Sequence, residues 1–84
     1  MTDSRWIVAY DIACPKRLYR VARRLASCGT RLQWSVFDCR LAPAGLAVLL
    51  RDIRALIVPD EDSVRLYPLT GAAAGLPPAG YYLV

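Results

Sequence analysis

The chain has 84 residues, which sets the count at one domain, and 56% of them are hydrophobic, more apolar surface than a monomer this small readily hides. Eleven Lys and Arg stand against seven Asp and Glu, a net charge of +4 that suits a polyanionic partner, since each cation placed at a phosphate releases condensed counterions. Histidine is absent, and the three cysteines, Cys14, Cys28 and Cys39, are widely spaced, which excludes histidine acid–base catalysis, Ser-His and Cys-His nucleophile pairs, the usual zinc sites and a disulfide framework.

Arg5 to Ile12, RWIVAYDI, reads as a strand rich in β-branched and aromatic residues. Trp6, Val8, Tyr10 and Ile12 share one face. Ile7, Ala9 and Asp11 share the other, so both faces are apolar until Asp11. Pro15 to Cys28 is predicted as a helix, with Pro15 at its first position and Gly29 as its stop. Leu18, Val21, Ala22 and Leu25 form its apolar stripe, opposite Lys16, Arg17, Arg20, Arg23 and Arg24. Ten of the eleven cations are arginine, whose planar fork of donors suits phosphate.

Thr30 to Leu41 is again strand-like, long enough to break near Trp34 or Ser35 into two strands. Pro43 to Ile57 is predicted as a second helix, poorly capped by Ala42, with Leu46, Leu49, Leu50, Ile53, Leu56 and Ile57 as its stripe. Pro59 to Asp62 is a turn, and Ser63 to Leu69 a further strand. Residues 70–80 read as a Gly-, Ala- and Pro-rich linker before a short β-prone end, Tyr81 to Val84. The domain proper is thus expected over residues 1–69, with linker and tail over 70–84. No apolar run approaches the ~18 residues of a membrane span. The polar start carries no signal-peptide pattern, so a cytoplasmic protein with reduced thiols and no membrane partner is expected.

The order β-α-β(β)-α-β matches an α+β, ferredoxin-like split βαβ sandwich, an antiparallel sheet with two helices on one face, plus a C-terminal strand. Its other face is open, and the doubly apolar first strand asks for a cover. A second copy of the chain, giving a homodimer, is the simplest one.

Three blocks, AYDI at Ala9–Ile12, RLQWSVFDCRL at Arg31–Leu41 and PDEDSVRLYPL at Pro59–Leu69, resemble the Cas-two family of CRISPR-associated adaptation proteins. The resemblance runs from about Trp6 to Leu69. It implies a homodimer that bridges subunits of the Cas-one integrase and holds a prespacer DNA duplex during spacer acquisition. For some members it implies a magnesium-dependent endonuclease acting on RNA or DNA, with the aspartate ending the first strand, here Asp11, as catalytic metal ligand. Ala13, Cys14 and Pro15 stand where many relatives carry acidic or polar residues, and Asp38 where Glu is common.

Read from the residues, Asp11 alone is too few ligands; a two-fold axis could pair it with its copy, or it could cap the first helix or pair with an arginine. Arg17, Arg20 and Arg24, extended by Arg31, are the candidate contacts to a phosphate backbone, against the alternative of a solvated face. Tyr10, Trp34, Phe37 and Tyr67 are expected in the core or at the dimer interface. Tyr81, Tyr82, Leu83 and Val84 are expected to add a strand to the partner's sheet or to contact the integrase. Adaptor, nuclease and an unrelated ferredoxin-like module remain as functions, with the adaptor preferred because one acid and no histidine make a thin catalytic apparatus.

Overall fold

The computed structural model describes residues 4–69 and 81–82. Seven elements follow one another: β1 (Ser4–Asp11), α1 (Pro15–Ala26), β2 (Gly29–Gln33), β3 (Val36–Leu41), α2 (Pro43–Leu56), β4 (Ser63–Pro68) and β5 (Tyr81–Tyr82). They build one sheet in the order β2-β3-β1-β4-β5, every neighbour antiparallel. β3 lies between β1 and β2, which makes the split βαβ unit, and the fold is ferredoxin-like α+β.

Alternation decides which side of each strand meets the helices. Val8, Tyr10 and Ile12 of the first strand segment, Phe37, Cys39 and Leu41 of β3, and Val64 and Leu66 of β4 are buried. They pack with Val21 and Leu25 of α1 and with Leu49 and Ile53 of α2, while Leu18, Ala22, Leu46 and Leu50 flank that core half-buried. Both predicted stripes therefore face the sheet. Tyr10 and Phe37 stack at 6.2 Å between centroids.

The first helix ends at Ala26 rather than Cys28. The Ser27 N–H donates to the Arg24 carbonyl at 3.2 Å and the Cys28 N–H to the Leu25 carbonyl at 3.0 Å, tightening the last turn so that the chain can enter β2 at Gly29. Neither helix has a side-chain cap, as Ala42 led one to expect for the second, and each carries a proline in its first turn. The predicted break in the central strand falls at Trp34 and Ser35, where a turn joins β2 to β3.

The face away from the helices carries Ile7, Ala9, Val36 and Tyr67, all half-buried. Register places them together: Ile7 pairs with Tyr67 across β4, and Ala9 with Val36 across β3. Tyr81 and Tyr82 pair with Leu66 and Arg65, so they extend the chain's own sheet. The tail was expected on a partner's sheet. The edge of β4 offers the same unpaired backbone groups within the chain, and β5 meets that need locally. Leu83, Val84 and the 70–80 linker lie outside the described residues.

The Asp11 cleft and a candidate nucleic-acid interface

Asp11 ends β1, opposite Ser63 of β4, and its residue is exposed. It lines a cleft of about 190 Å³ with Ala9, Tyr10, Ser63 and Arg65. It does not cap α1, whose N-cap residue is Cys14. Carboxylate and hydroxyl oxygens are the donors a hard cation such as Mg²⁺ prefers. Their number is the obstacle: among the described residues no group of three or more His, Cys, Asp or Glu could hold a metal.

Four other acids among the described residues are engaged by arginines. Asp38 is ion-paired with Arg5, whose guanidinium holds its carboxyl below the ordinary value. Asp52 is shared by Arg24 and Arg51. Glu61 and Asp62 both accept from Arg17. One chain therefore offers one carboxylate, Asp11, and one hydroxyl, Ser63, at this cleft.

The loop that leaves Asp11 is held from beneath by Asp62, whose side chain is fully buried. Asp62 accepts from the Ala13 N–H at 3.0 Å, the Val58 N–H at 2.8 Å and Arg17 Nε at 2.8 Å. The Arg17 hydrogen bond is the main cause that lowers its carboxyl to about 2; the two backbone N–H groups add to it, and burial opposes. A sequence reading of Pro59–Asp62 as a turn misses this role. Arg17 and Asp62 are 45 residues apart, and no local pattern announces that they meet.

Those ion pairs redraw the cationic face of α1. Arg17 is bound to Asp62 and Glu61. Arg24 is bound to Asp52 at 3.0 Å and donates to Ser27 Oγ at 3.0 Å. The predicted row Arg17, Arg20, Arg24 is thus split, with Arg20 its exposed member. Lys16 and Arg23 are exposed as well, and none of Lys16, Arg20 and Arg23 forms an ion pair among the described residues. Their spacing, i, i+4, i+7, puts them on one side of the helix.

Two adjoining clefts flank that side. One, of about 490 Å³, is lined by Pro15, Lys16, Tyr19, Arg20 and Arg23. The other, of about 360 Å³, runs past Tyr19, Arg23, Gly29, Arg31 and Phe37 toward β2. They share Tyr19, which is 63% exposed, and Arg23, and no acid lines either. Arg31 closes the far end, its guanidinium 5.2 Å from the Phe37 ring centroid and 5.4 Å from that of Trp34. Trp34, expected in the core or at an interface, is 74% exposed, because it sits in the β2–β3 turn rather than on a strand face. Tyr10 and Phe37 are core residues, as expected, and Tyr67 lies on the open sheet face.

Residues 4–75 match the family model described as CRISPR associated protein Cas2. Over 66 residues the chain is 38% identical to the CRISPR-associated endoribonuclease Cas2 3 of Synechocystis sp., covering 79% of this chain and 72% of that protein. It is 41% identical over 66 residues to the CRISPR-associated endonuclease Cas2 2 of Thermus thermophilus, covering 79% and 73%. The crystal structure of Streptococcus pyogenes Cas2 at pH 6.5 superposes with a TM-score of 0.74 at 34% identity, covering 82% of this chain and 88% of that one. The chain therefore belongs to the Cas2 family of CRISPR-associated proteins.

Proposed function

We propose that the chain is a homodimeric adaptor of CRISPR spacer acquisition, which holds prespacer DNA by its backbone and bridges Cas-one integrase subunits. The observation that carries the DNA-holding role is the exposed band Lys16, Arg20 and Arg23, extended by Arg31, along clefts that no acid lines. Cations so placed contact phosphates and fix a duplex in register without reading its sequence. The half-buried patch Ile7, Ala9, Val36 and Tyr67 supports dimerisation through the open sheet face. A second copy burying ~800 Å² per chain there would make an interface of standard size. The bridging role is carried over from the family.

The test is a salt titration of duplex binding. The wild-type protein, sedimenting as a dimer, should lose affinity steeply as salt rises. Alanine at Lys16, Arg20 and Arg23 together should flatten the log–log slope by about 0.9 for each phosphate contact removed. An unchanged slope in that variant would remove the band from the interface.

A second reading is favoured by the exposed Asp11 in its own cleft and by the relatives named as endoribonuclease and endonuclease. Here Asp11 from each of two copies would hold Mg²⁺, which when bound supplies an activated water. Asp11→Asn should then abolish magnesium-dependent cleavage of RNA or DNA while the salt slope of binding stays as in the wild type. Cleavage that persists in Asp11→Asn would overturn this reading.

A further inference from the structure

Cys28 and Cys39 form a thiol pair for which the nucleic-acid reading has no use. Cys28 follows the last turn of α1 and is half-buried. Cys39 is fully buried on the helix-facing side of β3. Their Sγ atoms lie 3.7 Å apart. The approach is built into the backbone. Gly29 sits opposite Cys39 in the β2–β3 register, and a Cβ placed on it would lie 2.6 Å from Cys39 Sγ and 2.5 Å from the Asp38 carbonyl oxygen. A residue without a side chain lets β2 begin this close to β3, and the preceding thiol is thereby set against Cys39.

We infer that Cys28 and Cys39 are an oxidative modification site that reacts with a peroxide and closes to a reversible intrachain disulfide. Cys28 is the sulfur that meets the oxidant. Its thiolate attacks one peroxide oxygen, the O–O bond breaks, hydroxide leaves, and Cys28 becomes a sulfenic acid. The Cys39 sulfur then attacks the Cys28 sulfur. The S–O bond breaks, and the departing oxygen takes the Cys39 proton and leaves as water. With the proton first lost by Cys28, the hydroxide makes a second water. Two thiols have given up two electrons, and one peroxide has become two waters.

Capture closes the two sulfurs from 3.7 Å, where the Cys28 thiol donates to Cys39, to an S–S bond of ~2.05 Å. Burial is the main cause that pushes the Cys39 thiol up to about 12, so in the reduced protein it is protonated and Cys28 is the sulfur the oxidant meets. The link ties the end of α1, the helix with the exposed cationic band, to β3, which lies between β2 and the central strand β1. Cys14 stands apart at the other end of α1, where the backbone N–H groups of Arg17 and Lys16 hold its thiol below the ordinary value. It is the competing reactive thiol, so the test has to separate it.

The full-length protein is treated with hydrogen peroxide, its remaining thiols are alkylated in denaturant, and peptides are mapped without reduction. The thiol count should fall from three to one, with one peptide pair joining Cys28 to Cys39, and dithiothreitol should restore all three. In Cys14→Ser the count should fall from two to none. In Cys28→Ser the Cys39 thiol should survive the same dose. The inference is overturned by a link that uses Cys14, or by Cys28 sulfinic acid beside an unreacted Cys39. Three intact thiols at a dose that oxidises the denatured chain would overturn it equally.

Discussion

Asp62→Ala is expected to destabilise the fold by about 3–5 kcal/mol, the range for removing one partner of a buried ion pair. Its carboxylate satisfies the Ala13 and Val58 N–H groups as well as Arg17. Each donor left buried without a partner costs about 1–3 kcal/mol. Arg17 keeps Glu61 and some solvent contact, which softens the loss on that side. Set against the ~5–15 kcal/mol of a whole domain, the change is large for so small a chain. Urea denaturation of wild type and variant at neutral pH measures it, and a difference under 1 kcal/mol would show that the network contributes little.

The same residue gives a pH dependence with a definite sign. Its carboxyl titrates at about 2 in the folded chain, below the ordinary 3.8. A depressed carboxylate stabilises the fold fully above the unfolded value, and that stabilisation is lost as pH falls from about 4 through about 2. Asp38 and Asp52 are also lowered by their arginine partners and contribute in the same direction. The difference between wild type and Asp62→Asn isolates the Asp62 part: it should be flat above about pH 5 and shrink below pH 4.

Gly29→Ala should cost about 1–3 kcal/mol, as overpacking of a filled interior does. The new Cβ would stand 2.5 Å from the Asp38 carbonyl oxygen and 3.0 Å from Cys39 Cα, both backbone atoms. Relief requires β3 to move, and β3 carries the buried Phe37, Cys39 and Leu41. Gly45→Ala is the matched control. It lies in the first turn of α2, where its Cβ would meet the nearest neighbour, Leu41 Cδ2, at 3.6 Å, an ordinary contact. Helix propensity then acts alone and should stabilise by less than the ~1 kcal/mol of a helix interior. Opposite signs in the two urea midpoints are the expected result. A neutral Gly29→Ala would mean that β2 shifts freely.

What the chain alone determined is what a local period can encode. Alternation placed Val8, Tyr10 and Ile12 on one face of the first strand, and the helical stripes of α1 and α2 marked their sheet-facing residues. Pro15 and Pro43 marked the helix starts, and the order of elements then admitted the split βαβ topology. Asp11 was legible too, as the one acid within the first strand. The states of the charges were not legible. Lys16, Arg17, Arg20, Arg23 and Arg24 look alike along the helix. The fold brings Asp62 to Arg17 and Asp52 to Arg24 across 45 and 28 residues, and leaves Lys16, Arg20 and Arg23 without ion-pair partners among the described residues. The break near Trp34 was legible, but the exposure of its ring in the β2–β3 turn was not. The reason is common to these cases: apolar burial follows a period of two or 3.6 residues that any segment carries by itself. Charge pairing and the approach of Cys28 to Cys39 depend on distances between segments, and those exist only once the sheet has closed.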